Sequence, residues 1–178
     1  MRKAVFHIFR IFFLFSVMLM LVPLSGCGYH VGSITHPQIK TVAIADVKNE
    51  TYEVLASAVL RNLLAERFQF DNSLKLTSME KADCIVYTRV IGVRNSSITW
   101  HTTDKVESYR SNEYSLDVRV EFTVLRPGYG QPLVRRRFAN ASSTYLFSHD
   151  PAIGRASALK QCMLRIANQI VSATTEAW

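Results

Sequence analysis

The sequence predicts an α+β fold: a two-layer sandwich in which two helices pack on one face of a mixed, mostly antiparallel four- to five-stranded sheet. Three observations predict it. Residues 114–124 alternate apolar and polar side chains without a break, the period of a strand with one buried face. Two segments, 52–68 and 153–174, space their apolar residues by three and four, as a helix packed along one stripe does. The longest strand-like runs are neighbours in sequence, which favours antiparallel pairing with the helices set on one side.

Residues 1–26 stand apart from this plan. Arg2 and Lys3 open the chain, Arg10 adds a third cation, and Ile11 to Val22 is an apolar run interrupted only by Ser16. That run is short of the roughly 20 residues a membrane-spanning helix needs. A positive start, a short apolar stretch and then small residues describe a cleaved secretory signal. The cleavage region reads Leu24-Ser25-Gly26-Cys27. An apolar residue three places ahead and two small residues directly ahead of a cysteine form the bacterial lipobox. The Cys27 thiolate is the nucleophile that takes a diacylglyceryl group. Cys27 is therefore the expected first residue of the mature chain, carrying diacylglycerol and an N-acyl chain, with no other cofactor implied. Two or more acyl chains hold a protein at a membrane durably. Gly28, in place of an aspartate, points to the outer membrane, with the domain facing the periplasm.

Residues 27–38 contain Gly28, Gly32 and Pro37 and read as a lipid-anchored tether. Residues 39–178 then form a single α+β domain. Its first strand is Ile39 to Val47, apolar and rich in β-branched residues. Asn49-Glu50-Thr51 turns the chain, with Thr51 as expected N-cap of a helix from Tyr52 to Phe68 and Glu53 complementing its dipole. Leu55, Val59, Leu63, Leu60, Leu64 and Phe68 make its apolar stripe. Asp71-Asn72-Ser73 ends it. A short strand follows at Leu74 to Thr77, then a long extended segment from Ala82 to about Trp100. In the alternating strand, Leu116, Val118, Val120 and Phe122 should face the helices and pack with Leu55, Leu63, Leu159 and Ile166. Pro127-Gly128-Tyr129-Gly130 is a hairpin turn whose second arm runs from Leu133 to about Phe147. Asp150-Pro151, an N-cap followed by proline at the first helical position, opens the last helix.

Several chemistries have no foothold in this sequence. It contains no HExxH or CxxC spacing, no GxSxG elbow and no phosphate-cradling glycine loop. Asp117 and Glu121 share one strand face, as charged residues on a solvated face normally do. The chain reads as non-enzymatic and without a metal site. Its net charge of +7 falls to about +4 once the signal leaves, a bias towards anionic partners. No pattern for nucleic-acid binding accompanies it. Cys84 and Cys162 lie in a strand and a helix, and read as small buried hydrophobes rather than a disulfide. Arg135-Arg136-Arg137, with Arg126 across the hairpin, admits two readings. The simpler is a solvated sheet face, with Arg136 on one side of the strand and its neighbours on the other. The sharper is a patch for lipid phosphates, which arginine contacts bidentately.

Several segments in order resemble the lipopolysaccharide-assembly lipoprotein family, LptE. Leu24-Ser25-Gly26-Cys27-Gly28-Tyr29-His30 is similar to the family's start. The stretches IKTVAIADVKNETYE, KADCIVYTRVIGV and EYSLDVRVEFTV resemble its strands, and DPAIGRASALKQCMLRIANQIV its closing helix. The resemblance covers most of residues 24–178. It implies an outer-membrane lipoprotein that plugs the large β-barrel of the lipopolysaccharide translocon, aids barrel assembly and binds lipopolysaccharide. Arg126, Arg135, Arg136 and Arg137 match no family motif and are lipopolysaccharide-binding candidates from charge alone. A different class stays open: a periplasmic scaffold lipoprotein of another envelope-assembly complex, which would bind neither barrel nor lipopolysaccharide.

Overall fold

A computed structural model of the chain describes residues 38–101, 110–147 and 150–176. The signal, the lipobox, Cys27 and most of the tether lie outside the described residues, as does Trp178. The elements run β1 (Thr41–Ile44), β2 (Lys48–Asn49), α1 (Ala56–Asp71), β3 (Lys75–Leu76), β4 (Cys84–His101), β5 (Arg110–Leu125), β6 (Val134–Leu146) and α2 (Pro151–Thr175). They form one six-stranded sheet in the order β3-β1-β4-β5-β6, with β2 pairing β4 off this path. β1 runs parallel to both β3 and β4, whereas β4–β5 and β5–β6 are long antiparallel ladders. The two-helix, mostly antiparallel sandwich is as expected. The sheet has one strand more than the expected maximum, because the first strand-like run breaks after Ile44 and resumes as the two-residue β2.

One core joins the layers. Leu116, Val118, Val120, Phe122 and Val124 on β5 are buried, with Val86 and Val90 on β4, against Leu60, Leu64 and Phe68 of α1 and Leu159, Met163, Ile166 and Ile170 of α2. Cys84 and Cys162 are free and buried in it. Burial raises both thiol pKa values, that of Cys84 to about 12, so neither is a ready nucleophile. No helix among the described residues is long and apolar enough to cross a membrane.

Leu55 is a correction. It is 61% exposed, and α1 begins at Ala56 rather than Tyr52. Thr51 is not the N-cap; that position falls to Leu55, which has no side-chain cap bond. The cause is Asn49. Its Oδ1 accepts from Thr51 N (3.0 Å) and Thr51 Oγ1 (2.7 Å), and its Nδ2 donates to Glu53 O (2.8 Å). This local network offers the backbone an alternative to the helix and delays its start. At the other end, Asn72 closes α1 in the left-handed conformation (φ 56°), its N–H donating to Phe68 O. Asp150 caps α2 as expected, its Oδ1 accepting from Ala152 N at 3.0 Å and Ile153 N at 3.4 Å.

Candidate functional site

The candidate arginines gather at the β5–β6 turn. Pro127-Gly128 reverses the chain there, with Gly128 at φ +79°, which an L side chain rarely adopts, and Tyr129 N donating to Arg126 O at 3.2 Å. Arg126 is half-buried and holds its guanidinium 3.8 Å from the centre of the exposed Tyr129 ring. Arg135, Arg136 and Arg137 follow on the opposite arm, all exposed.

The expected alternation of the three is overturned. Phe122 pairs with Arg137, but Val124 pairs with Val134, so β5 advances by two residues while β6 advances by three. Arg135 and Arg136 together face Thr123, the signature of a β-bulge. The bulge re-aims Arg136 onto Glu121, where its Nε lies 2.7 Å from Oε2.

Glu121 is the hub of a network that crosses the outer face of the sheet. Arg89 on β4 contacts Glu121 at 2.5 Å and Glu50 at 2.9 Å. Hydrogen bonds from Arg89 first, and then Arg136, hold the Glu121 carboxyl below its ordinary value, and Glu121 in turn raises Arg89. The four candidates therefore differ. Arg136 is committed to a carboxylate and Arg126 is stacked on Tyr129. Arg135 and Arg137 form no ion pair with any described residue, and their guanidinium groups remain available to an anion. The network was not legible in the sequence, because Glu50, Arg89, Glu121 and Arg136 come together only through strand register.

A second feature lies higher on the same outer face. After a bulge at Ile91, Gly92 faces Arg119, and its missing side chain leaves a dip. The resulting cleft, about 860 Å³, is bordered by Arg94, Asp117, Arg119, Asn140, Ser142 and Arg165. The Arg119 guanidinium lies over the Phe138 ring at 4.3 Å. At the β6 edge, Arg165 donates to Ser142 O (2.5 Å) and Gln169 to Asn140 O (3.1 Å).

Fold and site thus define a small α+β domain with a buried helical face and a charged outer sheet face. A family profile described as lipopolysaccharide-assembly, LptE, matches residues 39–174. The chain belongs to this family. No curated protein matches it in sequence. Among solved structures it is similar to a protein from Xanthomonas campestris, with 11% identity and a TM-score of 0.57 over 82% of this chain and 90% of that one. It is also similar to a minor lipoprotein from Acinetobacter baumannii, at 12% identity and a TM-score of 0.51 over 78% and 94%. Rare lipoprotein B from Shewanella oneidensis shares 18% identity, with a TM-score of 0.45 over 74% and 92%. At such identities the first two likenesses are of fold alone.

Proposed function

We propose that this chain is an outer-membrane lipoprotein subunit of the lipopolysaccharide transport and assembly machinery. It is anchored through acyl chains on Cys27 and seated as a plug inside the translocon β-barrel, whose assembly it aids. It acts by binding and positioning, not by catalysis. The observation that carries the reading is the family match over residues 39–174. The outer sheet face supports it. A barrel lumen is polar, and a plug meets it with polar side chains. Ser115, Asp117, Arg119, Glu121 and Thr123 supply such a face on β5, tied by ion pairs to its neighbours. Arg135 and Arg137, free of carboxylates, with Arg126 beside them, are the groups to meet phosphates on the lipid's sugar head. Each exposed contact is modest and screened by salt.

The test is affinity purification of the mature protein in mild detergent. One large outer-membrane barrel and lipopolysaccharide should co-purify, and the N-terminal peptide should carry an acylated cysteine by mass spectrometry. A variant with Arg135, Arg136 and Arg137 all changed to glutamate should stay folded and hold less lipopolysaccharide at low salt. Undiminished binding by that folded variant removes the patch. Absence of the barrel from the purified complex removes the translocon role.

A further inference from the structure

We propose that the β5–β6 turn, with Arg126 and Tyr129 at its tip, is a membrane-contact element that lies against the anionic phospholipid surface of the bilayer holding the acyl chains. The inference rests on lipidation of Cys27 and adds a surface that the family assignment does not supply.

The argument begins where the tether becomes the domain. Asp83 Oδ2 accepts hydrogen bonds from Lys40 N, Thr41 N and Thr41 Oγ1, each at 2.9 Å, and Asp83 N donates to Thr41 Oγ1 at 2.9 Å. Lys75 N donates to Lys40 O at 2.9 Å. These bonds fix residues 40 and 41 to the sheet, so the direction in which the chain leaves it is set. Just outside them, Gln38 shares a shallow cleft of about 370 Å³ with Arg126, Tyr129, Gln131, Pro132 and Leu133. The tether therefore leaves the domain beside the turn.

Length then limits where the turn can be. Cys27 precedes Gln38 by eleven residues. At no more than about 3.5 Å per residue, the turn stays within about 40 Å of the anchored leaflet whatever path the tether takes. The acyl chains thus hold the turn at high effective concentration near the lipid, where even a weak contact is populated.

The side chains at the tip suit that surface. Tyr129 is 61% exposed and pairs an apolar ring with a polar hydroxyl, the combination favoured at membrane interfaces. The Arg126 guanidinium over the ring keeps its charge at the same level, with its stem along apolar surface. Exposed Leu125 adjoins them. Asp83, the acid whose field reaches Arg126, is already spent on Lys40 and Thr41. One aromatic on a turn is too small for a stable protein interface, which buries roughly 800 Å² per partner. It is large enough for an interface whose affinity is supplied by an anchor.

The experiment uses the full-length lipidated protein with Gly130→Cys, labelled with an environment-sensitive fluorophore. A Cβ at residue 130 meets nothing within 4 Å, so the label is tolerated. Cys84 and Cys162 are buried and acylated Cys27 has no free thiol, so the parent protein should take no label. With phosphatidylglycerol vesicles free of lipopolysaccharide, the dye should blue-shift and be quenched by lipid-borne spin probes. Both signals should shrink with phosphatidylcholine alone, and in the added double variant Arg126→Glu, Tyr129→Ser, while that variant still sediments with vesicles. Protein that sediments with an unshifted, unquenched dye overturns the proposal, and so does a signal that appears only when lipopolysaccharide is included. A parent protein that takes label at Cys27 and fails to sediment overturns the lipidation on which the proposal stands, and the proposal with it.

Discussion

Asp83 offers the sharpest single perturbation. Its carboxylate receives three hydrogen bonds, from Lys40 N, Thr41 N and Thr41 Oγ1, and these tie the start of β1 to the start of β4. Asp83→Asn keeps the shape and removes the charge. A hydrogen bond to a charged acceptor contributes about 1.5–3 kcal/mol and a neutral one about 0.5–1.5, so each bond loses about 1 kcal/mol. Lys40 is exposed and its amide can turn to water, which leaves about 2 kcal/mol in all. For a domain of this size that lowers Tm by about 4–8 °C, read by far-UV circular dichroism. The pH dependence adds a second check. Hydrogen bonding by Lys40 and Thr41 lowers the Asp83 pKa from its ordinary 3.8. A carboxyl depressed by folding contributes stability above its unfolded pKa and loses it as pH falls through the folded value. The gap between parent and variant should therefore be full at pH 7, shrink as pH falls below 3.8, and close once pH passes below the lowered folded value. A Tm within about 1 °C of the parent at pH 7, or a gap unchanged at pH 2, refutes the reasoning.

Two further outcomes follow from packing. Phe122 is 4% exposed within the shared core, so Phe122→Ala should cost about 3–5 kcal/mol in urea unfolding, whereas a loss within about 0.5 kcal/mol would mark a surface position. The paired variant Arg165→Ala, Gln169→Ala should keep its circular dichroism spectrum yet self-associate by light scattering as concentration rises, since it uncovers the carbonyls of Asn140 and Ser142 on an edge strand; a variant that stays monomeric at every attainable concentration counts against this.

The elements written in periodicity were legible. β5 was readable because its buried and exposed faces alternate from Tyr114 to Val124, and α2 because Asp150-Pro151 marks its start. The start of α1 was not. Its pattern extends back to Leu55, but the Asn49 side chain holds residues 51–53 in a turn, a competition that periodicity does not report. Nor does a run of three arginines show a bulge, since shifting identical residues changes nothing in the pattern. The bulge is what separates Arg136, bound to Glu121, from Arg135 and Arg137, which are free. The short strand expected at Leu74 to Thr77 is present as β3, but its parallel pairing with β1, like the two-residue β2 and its pairing with β4, has no signal in the sequence.

The edge of β6 ties these observations together. An unpaired strand edge invites pairing with any other strand, a hazard that is acute for a domain proposed to sit among the strands of a barrel. Side chains of the helix reach part of that edge. Gln161, Arg165 and Gln169 recur every four residues on one side of α2, and they reach Ser143 Oγ, Ser142 O and Asn140 O in turn. At the helix start, Gly154 lies against Tyr145 and Leu146 O, where even a Cβ would come within 3.1 Å of the Tyr145 ring. These contacts fall on residues 140–146 of β6. Residues 135–137, nearer the turn, guard the strand by a different means: three exposed arginines. Charge on an edge strand blocks strand addition. The same exposure leaves Arg135 and Arg137, which pair with no carboxylate among the described residues, free for phosphate, so one run of residues serves both as edge protection and as the basic site proposed above.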